Sequence, residues 1–88
     1  MEKYCIFAFS SRTESIRFFN LLKAAAVPAM IINLPRMLNL GCGLSVKISC
    51  AYFNAAADIY GRNAFRTFLG AYEITVVGGR GSARRIMS

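Results

Sequence analysis

Apolar and polar residues change period five times along this chain, and the changes mark its elements. Residues 3 to 9, KYCIFAF, place Cys5, Phe7 and Phe9 on one side and Tyr4, Ile6 and Ala8 on the other. Both faces are apolar, which predicts a central strand. Ser11 followed by Glu14 forms an S-x-x-E capping box, predicting a helix from Arg12 to about Ala26. Ile16, Phe19, Leu22 and Ala26 form its apolar stripe, and Pro28 closes it. AMIINL, residues 29 to 34, reads as a second strand stopped by Pro35. LSVKISC, residues 44 to 50, alternates cleanly: Leu44, Val46, Ile48 and Cys50 inward, Ser45, Lys47 and Ser49 toward water. Phe53, Ala56, Ala57, Tyr60 and Ala64 recur at helical spacing, with Gly61 as a candidate early stop. AYEITVV, residues 71 to 77, is a last strand with Tyr72, Ile74 and Val76 on one face.

The order is β-α-β-β-α-β, so the expected fold is α+β and ferredoxin-like, one mainly antiparallel sheet with two helices on one face. Residues 1 to 77 form the expected domain. Residues 78 to 88, GGRGSARRIMS, lack periodicity and are expected to be a flexible basic tail.

Size limits what such a domain can do. With 88 residues there is room for one modest core and none for a large preformed cavity. A composition 56% hydrophobic and 17% charged is apolar for so small a domain and points to a surface covered by a partner or a second copy. The longest apolar run, AAAVPAMII, is too short to cross a bilayer and contains Pro28. The N-terminal MEKYCIFAFSS lacks a small-x-small cleavage site and reads as a strand, so a cytoplasmic location and no membrane association are expected. Eleven Lys and Arg against four acids give +7, and Arg80, Arg84 and Arg85 place three of those charges in the tail. A solvated basic face explains this balance, and so does attraction to nucleic acid, anionic lipid or an acidic protein.

Three cysteines and no histidine narrow the chemistry. Cys5, Cys42 and Cys50 have no CxxC spacing, which argues against a disulfide scaffold, a structural zinc site or any other metal centre, and no cofactor motif is present. Without histidine there is no Cys-His pair and no usual general base. Asp58 stands four residues before Arg62 on a helix and has no second carboxylate beside it, so it reads as an ion-pair partner and the chain reads as something other than an enzyme.

In LNLGCGLSVKI, residues 38 to 48, Cys42 lies between Gly41 and Gly43 at a strand entrance. Flanking glycines uncover a side chain and let the backbone reach φ > 0, where successive N–H groups converge on one point. Those amides, with Arg36 in the same loop, would favour a thiolate. On the residues alone Cys42 is either a nucleophilic or carrier thiol, or a small residue in a tight turn. If the glycines serve to expose the sulfur and aim amides at it, Gly43→Val should blunt Cys42 labelling while leaving the fold largely intact. Cys50 is eight residues further along an expected strand, roughly 25 Å at ~3.3 Å per residue, too far to bridge. Cys5 points with Phe7 and Phe9 into the expected core. Cys5 and Cys50 both read as packing residues, which leaves Cys42 without a resolving thiol and suits a carrier better than a dithiol oxidoreductase.

FAF at 7 to 9, LLKAAAVPAMIINLPR at 21 to 36, GCGLSVKI at 41 to 48 and GAYEI at 70 to 74 follow one another here. In that order they resemble a family of small bacterial domains known as selenium/sulfur carrier-like proteins, whose most specific element is Pro-Arg followed by Cys-Gly-Leu. The resemblance implies that Cys42 is the carrier residue, holding a persulfide or its selenium counterpart, with Arg36, Gly41 and Gly43 around it. It further implies donor and acceptor proteins as partners. The small polar residues that precede the cysteine in the family are Leu40 and Gly41 here, so hydroxyl support of the thiolate is missing.

A non-enzymatic nucleic-acid-binding or protein-docking module is the rival reading. RNA-recognition domains share the strand order, and Tyr4, Ile6, Ala8 and Lys47 would line an open sheet. LSVKISC, however, has no aromatic residue on which a base could stack, and nucleic acid is not the expected partner. Gly78-Gly79 is similar to the diglycine end of ubiquitin-like sulfur carriers, but residues 80 to 88 follow it and processing would be needed.

Overall fold

The computed structural model describes residues 1–41 and 43–88. Five strands and two α-helices make an α+β fold: β1 (Glu2–Phe9), α1 (Arg12–Ala24), β2 (Met30–Asn33), β3 (Leu44–Ile48), α2 (Phe53–Gly61), β4 (Phe68–Val77) and β5 (Arg80–Met87). All neighbouring strands run antiparallel in the order β2-β3-β1-β4-β5. The apolar strand is central, as its two-faced pattern requires: Cys5, Ile6, Phe7, Ala8 and Phe9 are all buried.

The helix-side core gathers Phe7, Phe9, Phe18, Leu22, Val46 and Ile48 with Ala56 and Ile59 of α2. Phe7 and Phe18 rings lie 4.9 Å apart and Tyr60 and Phe68 rings 4.3 Å apart, close enough for favourable tilted packing. The buried stripe of α1 is shifted from the expected one. Ser15, Phe18 and Leu22 are buried, whereas Ile16 is 44% exposed. A serine can occupy the stripe because its hydroxyl donates to the Leu44 carbonyl at 3.1 Å, leaving no buried polar group unpaired.

α1 also ends two residues early. Val27 N–H donates to Leu22 O and Ala26 N–H to Lys23 O, a Schellman closure in which Ala26 occupies the left-handed position, φ 61, usually held by glycine. At the start of α1, Ser11 Oγ accepts from Glu14 N–H as the capping box requires. The Glu14 carboxylate does not reach back to Ser11. It accepts from Arg66 N–H at 3.0 Å and from Thr67 N–H at 2.8 Å and Oγ1 at 2.6 Å, tying α1 to the segment entering β4. These donors hold its carboxyl below the ordinary carboxylate range, the Thr67 hydroxyl most.

Two expectations are corrected by the second sheet face. The outward side of β3 reaches water only at Lys47, because Ser45 is fully buried, and Ile6, Ala8 and Ile74 on the same face are also fully buried. Leu34 packs there, with Leu38 and Leu40 partly buried against it, so Ile6 and Ala8 are covered while Tyr4 and Lys47 stay partly exposed. Residues 78–88 are not a flexible tail. Gly78 (φ 57) and Gly79 (φ 79) are the two central residues of a tight hairpin turn, and Val77 pairs with Arg80 to begin the β4–β5 ladder. Arg84 pairs with Glu73 at 3.1 Å, and Arg85 donates to Leu69 O at 2.9 Å across the Tyr72 ring. Backbone pairing and these cross-strand contacts hold a strand that buries little apolar surface. Among the described residues no helix is long and apolar enough to cross a membrane.

Candidate functional site

One end of the sheet collects every described part of the glycine loop. Phe9 at the end of β1 and Asn33 at the end of β2 both pair with Leu44 at the start of β3, and Phe9 also pairs with Phe68 at the start of β4. The chain that follows β2 must cross from Asn33 to Gly43 over the face opposite the helices. Pro35, with φ −60, starts a 3-10 turn at Arg36–Leu38, and Asn39 closes it in the left-handed region at φ 53. Leu38 N–H donates to Pro35 O at 3.1 Å, Asn39 N–H to Arg36 O at 3.0 Å and Leu34 N–H to Gly43 O at 3.3 Å. Leu34, Leu38 and Leu40 face the sheet, while Arg36, Met37, Asn39 and Gly41 face water. The turn reaches as far as the last strand: a Cβ on Gly81 would lie 2.7 Å from Met37 Cε.

Arg36, Gly41 and Gly43 line one hollow of about 220 Å³ with Asn33 and Leu34. A second hollow of about 310 Å³, lined by Ser10, Arg12, Asn33, Gly43 and Leu44, shares Asn33 and Gly43 with the first. Arg12 and Arg36 thus each line a hollow that Gly43 also lines, and among the described residues no acid lines either hollow and neither arginine is in an ion pair. Ser10, Arg12 and Asn33 were not legible as site residues. Their only signal is topological, since they follow β1, begin α1 and end β2 at the same end of the sheet. Cys42, the expected carrier thiol, lies outside the described residues.

The two glycines differ in what they do. At Gly41 φ is +84 with open space around a would-be Cβ, so glycine serves backbone conformation. At Gly43 a Cβ would lie 2.8 Å from the Phe9 carbonyl oxygen and 3.0 Å from Leu34 Cδ1. Its role is close approach of the loop to the central strand. The expectation that Val at position 43 leaves the fold intact is therefore corrected.

The remaining thiols are distributed unexpectedly. Cys5 is 1% exposed, and burial pushes its thiol up to about 12, with the neighbouring Cys50 adding to the effect. Cys50 is half-buried at the start of a 3-10 turn, Cys50–Tyr52, packed against the same core. Asp58 pairs with Arg62 at 2.9 Å as its spacing implied. No group of three His, Cys, Asp or Glu capable of holding a metal occurs among the described residues.

Residues 4–67 match the model of the family described as "Putative Se/S carrier protein-like". The chain belongs to this family. The matched segment runs from β1 through the glycine loop and α2 and stops just before β4, so β4 and β5 lie beyond it. No curated protein and no solved structure matches the chain at a significant level.

Proposed function

We propose that this protein is a carrier that accepts sulfur or selenium on Cys42 from a donor protein and passes it to an acceptor. Membership of the Se/S carrier-like family carries this reading, and Pro35-Arg36 and Cys42-Gly43-Leu44 lie within the matched span 4–67. The surroundings of the flanking glycines support it. Arg12 and Arg36 supply positive charge in the two hollows that Gly43 lines, with no carboxylate among the described lining residues, and an adjacent cation favours thiolate over thiol. In loading, the Cys42 thiolate attacks the outer sulfur of a donor persulfide; the donor's S–S bond breaks and the donor thiolate leaves. Delivery repeats the exchange with the acceptor's thiolate as attacking group. No histidine or metal is needed for either step. The carrier would work in the cytoplasm, where thiols stay reduced. The β2-β3-β1-β4 order supports taking the fold as ferredoxin-like with β5 added at one edge.

Incubation with a cysteine desulfurase or a selenocysteine lyase and its substrate, followed by intact-mass measurement, tests the reading. The wild type should gain the mass of one sulfur or selenium atom, and Cys42→Ser should not. Equal gain by both proteins, or by neither, would remove Cys42 from that role.

A further inference from the structure

Apart from the glycine loop, the described residues bring Cys5 and Cys50 together. Cys5 pairs with Ile48 across the β1–β3 ladder and with Glu73 across the β1–β4 ladder. Cys50 follows Ile48 by two residues, so on the continuation of that ladder it takes the diagonal position on the same sheet face as Cys5. The two thiols share a hollow of about 310 Å³ with Asn54, Glu73 and Arg84. They differ in access, since Cys5 is buried in the helix-side core and Cys50 is half-exposed at the end of the sheet.

We propose that Cys50 and Cys5 form a second thiol site, in which Cys50 reacts with a hydroperoxide and Cys5 resolves the product as an intramolecular disulfide. The Cys50 thiolate attacks one oxygen of hydrogen peroxide, the O–O bond breaks, and hydroxide leaves as water with the proton released from Cys50. Cys5 then attacks the Cys50 sulfenic sulfur; the S–O bond breaks and the hydroxyl leaves as water with the Cys5 proton. The two thiols lose two electrons and the peroxide becomes two waters. Burial keeps Cys5 protonated and out of reach of solvent oxidants, so it acts only on a sulfur delivered beside it.

Diagonal ladder positions lie ~7–8 Å apart between Cα atoms, and a disulfide needs about 7 Å or less. Closure therefore asks for a shift of roughly 1 Å between Cys5 and the three-residue turn Cys50–Tyr52, just past the end of β3.

The test uses the reduced full chain, treated with hydrogen peroxide, alkylated under denaturing conditions and digested with trypsin. The expected product joins the peptide containing Cys5 to the peptide containing Cys50, and the intact protein loses the mass of two hydrogens until dithiothreitol restores it. The same product should form in Cys42→Ser, which separates this site from carriage on Cys42. In Cys50→Ser, a change at a half-exposed position, no bridge should form and Cys5 should remain alkylatable. A bridge that contains Cys42, oxidation of Cys50 to the sulfinic acid with Cys5 left free, or no thiol loss in the peroxide-treated wild type would each overturn the proposal.

Discussion

Substituting alanine at each glycine beside Cys42 separates two physical roles that the sequence alone merges. Gly43→Ala places a methyl group 2.8 Å from the Phe9 carbonyl oxygen and 3.0 Å from Leu34 Cδ1. Leu34 is a side chain and can turn aside. The Phe9 carbonyl cannot, because Phe9 is held between Leu44 and Phe68 in the two central ladders. The loop must therefore lift, which strains the Leu34 N–H to Gly43 O bond. Overpacking costs about 1–3 kcal/mol, and a weakened backbone hydrogen bond adds about 1 kcal/mol. The sum, about 2–4 kcal/mol, is a large part of the roughly 5–15 kcal/mol that holds a domain of this kind. Gly41→Ala meets no atom within 4 Å, so its cost is the left-handed backbone alone, about 1 kcal/mol. Urea unfolding of the two variants and the wild type, with equal m-values, measures the difference directly. A Gly43→Ala protein within about 0.5 kcal/mol of wild type, or one more stable than Gly41→Ala, would refute the close-approach account of Gly43.

Three further outcomes are expected. Ala26→Gly should stabilise the chain by about 1 kcal/mol, because Ala26 holds φ 61 in the Schellman closure of α1 where glycine has no Cβ penalty; thermal unfolding would show the opposite sign if that backbone were relaxed. Glu14→Gln should lose about 1 kcal/mol at neutral pH as charge-assisted bonds to Arg66 and Thr67 become neutral ones. Because the folded carboxyl titrates below its unfolded value, its contribution is present above the unfolded value and lost as pH falls through the folded one; the acid slope of stability should flatten in the variant, and an unchanged slope would remove Glu14 as its source. In native alkylation near neutral pH, Cys42 should label first and Cys5 last. Cys5 is 1% exposed with its thiol pushed up to about 12. Arg12→Gln and Arg36→Gln should each slow Cys42 labelling by roughly 2–5-fold at low salt, and labelling that ignores both substitutions would take those guanidinium groups away from the thiol.

Local pattern carried most of the secondary structure, and what it missed depended on contacts far along the chain. The two-faced apolar pattern of KYCIFAF identified the central strand because burial on both sides leaves no polar position to interrupt it. Ser45 read as wet because a lone serine in an alternating strand usually faces water, yet it is fully buried and the neighbouring strand β2 supplies carbonyl partners at Ile32 and Asn33. The fold-over of residues 34–40 hides Ile6 and Ala8 and leaves Tyr4 and Lys47 partly exposed. Residues 80–87 read as a tail because RGSARRIM has no apolar alternation; the strand is held by its ladder with β4 and by Arg84 and Arg85, and the turn glycines were its one local sign. Only long-range pairing shows that Ser10, Arg12 and Asn33 reach the edge occupied by Gly43, or that Cys50 comes beside Cys5. The consequence bears on function. The turn carrying Arg36 rests on Leu34, Leu38 and Leu40 below and meets β5 at Gly81, so the loop around Cys42 is fastened to a strand outside the family-matched segment. Within that frame Gly43 sets how closely the loop approaches β1, and Gly41 holds a left-handed backbone that a side chain would strain.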